Sequence, residues 1–129
     1  RRAEKAMELT GTEYIKNKPA YRLSYGEKKL AAIAAVLSME PEILIMDEPE
    51  ASLDPLNRNR LKNVVNSLLG TKLIVSHDLD FIWETTDRVM LIGSGELKAF
   101  GSTKDVLTDE TLLNENSLIL PYNAIISRM

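Results

Sequence analysis

Two carboxylates stand side by side at Asp47-Glu48, directly after the apolar run Ile43-Leu44-Ile45-Met46. A run of that length and β-branching favours a short buried parallel strand over a helix. Acids at the carboxyl end of such a strand lie where open α/β sheets bind ligands. The first acid can hold Mg²⁺, usually through water because that ion dehydrates reluctantly. The second can polarise an attacking water. The plain alternative is a pair of solvated acids after a strand.

A second candidate precedes the strand. Ser24-Tyr25-Gly26-Glu27 has the S-x-x-E spacing of a capping box ahead of an apolar-periodic run. Ser24 then bonds the amide of Glu27, and Glu27 reaches back. A helix start with free amides and a nearby hydroxyl is also an anion site, and Gly26 puts no side chain in a phosphate's way. Lys28 and Lys29 add positive potential. The third candidate is His77, the sole histidine, in Ser76-His77-Asp78 after another apolar run. An imidazole at the same sheet edge as Asp47-Glu48 can bond a terminal phosphate or orient water, although a lone histidine is more often structural. With one histidine and no cysteine, a zinc site is not supported.

Other conspicuous residues have simpler explanations. Asp54 is explained as a helix N-cap, and Glu50, Asp78 and Asp80 as solvated loop acids. Phe81 and Trp83 are packing residues, and Tyr14 and Tyr21 fall in no pattern.

The elements that must position these residues follow from periodicity. Residues 3–9 are good helix formers closed by Gly11, and residues 12–22 are irregular around Pro19. Leu30, Ile33, Ala34 and Leu37 mark an amphipathic helix that Pro41 stops. Asp54-Pro55 opens another, with Leu61, Val64, Val65 and Leu68 as its buried face and Gly70 as its end. Leu73 to Ser76 is a second buried strand, followed by a short helix over 79–85. Val89 to Ile92, the turn Gly93-Ser94-Gly95 and Leu97 to Phe100 form a hairpin. Ser102 caps a helix through Leu107, and the tail from Asp109 is helical in part, interrupted at Pro121. Strands alternating with helices imply an α/β fold on a mostly parallel sheet flanked by helices.

Composition adds limits. At 129 residues, 44% hydrophobic and 27% charged, the chain suffices for one domain with a modest core. A net charge of −3 gives no electrostatic case for nucleic acid as a partner. The absence of cysteine excludes a disulfide framework and fits a cytosolic setting. No apolar run approaches the roughly 20 residues of a membrane-spanning helix. The start at Arg1-Arg2-Ala3, without methionine, suggests a piece of a longer polypeptide.

In order, L-S-x-G-E, a helix, an apolar strand with D-E-P, S-L-D-P and a strand ending in histidine resemble an ABC-type ATPase. The run AAIAAVLSMEPEILIMDEPEASLDP carries most of the resemblance, which covers nearly the whole chain. It implies a P-loop NTPase-like fold that lacks the N-terminal Walker A half. Residues 1–40 match the end of the helical subdomain, 41–108 the catalytic core and 109–129 a C-terminal tail.

By the resemblance, Ser24, Tyr25, Gly26 and Glu27 belong to the signature motif that touches ATP held by a partner domain. Asp47 matches the Walker B aspartate at Mg²⁺, and Glu48 the catalytic base. Ser52-Leu53-Asp54 matches the D-loop, which communicates across the dimer, and His77 the switch histidine. The implied function is ATP hydrolysis coupled to solute import. The implied partners are a second ABC ATPase domain, identical or paralogous, and a transmembrane subunit. The implied place is the inner face of the cell membrane.

A non-transport ABC ATPase in repair or translation is the alternative, with a regulatory ABC domain as another. Neither coiled-coil insertions nor basic patches point to the first, and retention of Glu48 and His77 argues against the second. GSGELKAFGSTKDVL and the leucine-rich tail are similar to cobalt-type or energy-coupling-factor importers, which take up vitamins or transition-metal ions.

The sequence departs from the family in places. LSYGE stands where LSGGQ is usual, so Tyr25 replaces a glycine and Glu27 a glutamine, adding charge near a phosphate site. Glu50 stands where threonine is common. No G-x-x-x-x-G-K-[ST] occurs, so these residues alone are expected neither to bind ATP tightly nor to hydrolyse it.

Overall fold

The breaker-free stretch near the start forms α1 (Arg2–Thr10) in the computed structural model, which describes residues Arg1–Met129. Gly11 ends it in the left-handed conformation, φ 62°, its amide on the Glu8 carbonyl. Thr10 and Thr12 are buried there, their hydroxyls 2.8 Å apart. Residues 13–15 and 20–22 form two 3₁₀ turns in the stretch expected to be irregular.

Helix α2 (Tyr25–Leu37), strand β1 (Ile43–Asp47), helix α3 (Pro55–Ser67) and strand β2 (Thr71–Val75) follow. They come in the expected order, with β2 starting two residues before Leu73 and ending before Ser76. The chain divides after Val75 into the units Arg1–Val75 and Ser76–Met129. In the first, β1 and β2 pair in parallel, Ile43 opposite Thr71 and Asp47 opposite Val75. Its core holds Ala6, Ile15, Leu30, Ala34, Leu44, Met46, Leu61, Val64 and Val65.

The strands and the end of α3 differ from the sequence pattern. The apolar strands are buried on one face only: Leu44 and Met46 point inward, whereas Ile43, Ile45, Leu73 and Val75 are exposed. A sheet of two strands has no second layer on that side. Helix α3 ends in an extended Leu68 rather than at Gly70, whose φ of 93° serves the turn into β2. Lys72 donates to the Val65 and Leu68 carbonyls at 2.9 Å each, capping the helix end.

The second unit holds α4 (Leu79–Thr85), β3 (Arg88–Gly93), β4 (Glu96–Ser102), α5 (Thr103–Leu107), α6 (Glu110–Glu115) and α7 (Tyr122–Ser127). Strands β3 and β4 form an antiparallel hairpin. Ser94 and Gly95 both have positive φ, 52° and 77°, as a two-residue primed turn requires. Ser102 caps α5, as its spacing predicts. Phe81, Ile82, Leu91, Val106, Leu107, Leu113 and Ala124 form this unit's core.

Candidate functional site

The start of α2 is a complete capping box. Ser24 has extended φ/ψ of −63° and 165° and accepts from the Glu27 amide at 3.2 Å, while the Ser24 amide donates to Glu27 Oε2 at 2.8 Å. Lys18 Nζ lies 3.5 Å from Glu27 Oε1. The Ser24 amide, with lesser help from Tyr14 and Lys18, holds the Glu27 carboxyl below its ordinary range. The charge that replaces the usual glutamine is therefore taken up by the cap and by a lysine. Tyr14, which fell in no sequence pattern, belongs to this cluster.

Gly26 is buried, and helix packing alone requires it. A Cβ there would stand 2.5 Å from Nδ2 and 2.8 Å from Cγ of Asn57 on α3. Asn57 has little freedom to retreat, because its Nδ2 donates to Asp54 Oδ2 at 2.6 Å. Asp54 is the N-cap of α3, accepting from the Asn57 amide at 3.0 Å. The Asn57 amide, then its side chain, lower the Asp54 pKa. Tyr25 is exposed, with Lys29 Nζ 5.8 Å from its ring centroid.

Asp47 is the last residue of β1, and its side chain is exposed. Glu48 follows with its amide on the Val75 carbonyl at 2.8 Å and a φ of 46°. Ser52 has φ 60°. Left-handed backbone at a residue other than glycine costs about 1–2 kcal/mol, and such strain clusters at functional sites. The loop is folded by Ala51 N donating to Glu48 O and Leu53 N to Glu50 O, both at 3.2 Å. From α2, Lys29 Nζ donates to Glu48 O at 3.0 Å and to Ala51 O at 2.8 Å.

The first unit thus gathers Ser24, Gly26 and Glu27, Asp47 and Glu48, and Ser52 to Asp54 around the contacts that join α2 to the loop and α3. His77 lies in the second unit, exposed, in a bend between β2 and α4. The Asp78 amide donates to Ser76 Oγ at 2.9 Å, and Asp78 caps α4 by accepting from the Phe81 amide at 2.9 Å.

Of the three acids expected to be solvated, Glu50 is buried, and Asp78 and Asp80 are half-buried and engaged in helix caps. Glu50 is 6% exposed, Asp78 is an N-cap, and Asp80 sits on α4 accepting from the Tyr122 amide at 3.1 Å and from the Asn123 amide at 2.9 Å. Asp80 thereby caps α7, whose own N-cap Pro121 brings no side-chain acceptor. Phe81 is fully buried, as its packing role requires.

No three acids or histidines converge on one point. The exposed Asp47 carboxylate, with no all-protein cage around it, fits an ion that keeps several waters, as Mg²⁺ does, and not one needing many side-chain ligands.

The sequence model of the family described as "AAA domain, putative AbiEii toxin, Type IV TA system" matches residues 4–80. The chain belongs to that AAA-domain family and, within it, with the ABC-type ATPase domains. It is 43% identical to a Geobacter sulfurreducens protein named as an ABC transporter ATP-binding protein, over 88% of this chain and 45% of that one. It is 38% identical to the energy-coupling factor transporter ATP-binding protein EcfA2 of Clostridium perfringens, over 94% and 44%.

Among solved structures, cbiO1 from Clostridium perfringens, part of the ABC transporter complex cbiONQ, superposes with a TM-score of 0.76 at 34% identity. That match covers 99% of this chain and 53% of the other. An ATP-binding cassette of an ABC transporter in its ADP conformation superposes with a TM-score of 0.77 at 29% identity, covering 88% and 47%. The chain spans about half the length of the curated relatives it matches. The expected α/β fold of the P-loop NTPase type, restricted to its C-terminal part, is therefore the observed one.

Proposed function

We propose that this chain is the C-terminal half of an ATPase domain that hydrolyses Mg·ATP as one of a pair and drives solute import through a transmembrane subunit. The observation that carries the proposal is the left-handed Glu48 beside Asp47 at the carboxyl end of a parallel strand. The sequence keeps an acid where glycine would be less strained. Glu48 is assigned as general base toward water and Asp47 as the Mg²⁺ residue, through water. His77 is assigned to the terminal phosphate, and Ser24, Tyr25, Gly26 and Glu27 to ATP held by the partner domain. Ser52-Leu53-Asp54 is the segment that senses that partner. Mg²⁺, when bound, supplies charge neutralisation at the phosphates.

The bare apolar face of β1–β2 supports the same reading, because parallel strands are ordinarily covered on both faces. A preceding half carrying the phosphate loop would cover it. Kinship with energy-coupling-factor ATPases supports import of vitamins or transition-metal ions and a place on the inner face of the membrane. The domain limits 1–40, 41–108 and 109–129 belong to this reading.

The test is ATP turnover by the full-length polypeptide containing this chain. Glu48→Gln removes base strength and keeps shape, so turnover should fall by about 10²–10⁴-fold while ATP stays bound in a closed dimer. His77→Ala should slow hydrolysis strongly as well. Unchanged turnover in Glu48→Gln, or micromolar Mg·ATP binding by residues 1–129 alone in a calorimetric titration, would refute the proposal.

A further inference from the structure

The first unit contains two lysines that each donate to two backbone carbonyls. Lys72 does so at the C-terminus of α3, where the helix leaves carbonyls unpaired and the dipole favours a cation. Lys29 does so where no helix ends. Its ammonium meets the carbonyls of Glu48 and Ala51, the two ends of a single turn. The Glu48 carbonyl already accepts from the Ala51 amide, and the Glu48 amide donates to the Val75 carbonyl, so Lys29 adds a donor from outside the turn to a backbone held at positive φ. Relaxation toward negative φ would redirect the Cα–Cβ bond of Glu48 and move its carboxylate. Lys29 is two residues past Glu27, and Gly26 of the same helix meets Asn57 on the other side of the loop. One helix therefore touches the first turn of the loop through Lys29 and the helix that follows the loop at Gly26.

We infer that Lys29 is a positioning residue for Glu48, holding its backbone in the left-handed turn and tying the helix that starts at Ser24 to the Glu48–Asp54 loop. The inference rests on the ATPase reading above. Lys29 touches carbonyls rather than a ligand, so its loss acts on the geometry of the base. Displacing a catalytic group by about 1 Å costs on the order of 10²-fold in rate.

The experiment compares Lys29→Met and Lys29→Arg with wild type and Glu48→Gln in the full-length polypeptide, measuring kcat, KM for Mg·ATP and melting temperature. In Lys29→Met, kcat should fall by about tenfold or more with KM within about twofold of wild type. Lys29→Arg, which keeps a cation with several N–H donors for the two carbonyls, should recover most of the loss. Hydrogen exchange at the Ala51 amide should quicken in the methionine variant and return in the arginine variant.

A raised KM at unchanged kcat would overturn the inference, placing Lys29 in the field that attracts nucleotide. So would parallel losses of kcat, nucleotide binding and melting temperature without rescue by arginine, which mark a general structural role. Unchanged kcat in Lys29→Met beside an inactive Glu48→Gln defeats the inference alone, whereas a wild-type protein without turnover defeats the ATPase reading and the inference with it.

Discussion

Asp47 to Asp54 and Ser76 to Phe81 each leave the end of a strand in the same parallel pair and enter a helix, yet they are shaped differently. The later loop includes bonds over two and three residues, Asp78 to Ser76 and Phe81 to Asp78, and none of its residues is left-handed. The earlier one carries two left-handed residues and a buried glutamate, and a lysine reaches it from 19 and 22 residues away. A backbone with ordinary φ throughout has no conformational preference to be held against. One held against its preference needs partners from elsewhere in the fold, and changes in those partners then reach the loop.

The contrast breaks first at Gly26. Alanine normally stabilises a helix by about 1 kcal/mol over glycine. Here its methyl would press on Asn57 and pull it from Asp54, so Gly26→Ala should cost about 1–3 kcal/mol net in urea unfolding. On an Asn57→Ala background the same change should be neutral or stabilising. If the cost persists there, contact with Asn57 is not its source.

A smaller effect is expected in the second unit. Asp80→Ala leaves the first amides of α7 without their cap, at a cost of about 1 kcal/mol. Exchange at Tyr122 and Asn123 should quicken while the hairpin amides keep their protection. Global unfolding in that variant would show that the tail is as integral as the Glu48 loop.

The smallest effect concerns acid. The Glu27 carboxyl is held below its ordinary value of 4.5 and that of Asp54 below 3.8. In each case the unfolded chain binds a proton at higher pH than the folded one. Their contribution is present above those values and is lost as pH falls through the lower folded ones. Glu27→Gln should flatten the acid limb of a stability–pH curve relative to wild type, and an unaltered limb would show that the cap charge is immaterial.

What the sequence disclosed follows the same division. The caps at Ser24, Asp54 and Ser102 and the turn at Ser94-Gly95 depend on residues within one turn, so spacing alone reveals them. Lys29 looked like a contributor to surface potential because nothing local marks its two acceptors. Asp80 looked solvated because its partners lie 42 and 43 residues on. Glu50 looked solvated because acids in loops usually are, and its burial depends on tertiary packing. Ile43 and Ile45 carry the pattern of a strand covered twice, but only one covering face is formed by these residues.

That uncovered strand pair also governs how the chain behaves as a material. Two strands expose hydrogen-bonding edges beside a strip of isoleucine, leucine and valine, and such a surface templates further strands from any neighbour. With a net charge of only −3 to keep copies apart, the isolated chain would lean toward self-association in concentrated solution, and its colloidal behaviour would depend on whatever shields Ile45 and Leu73.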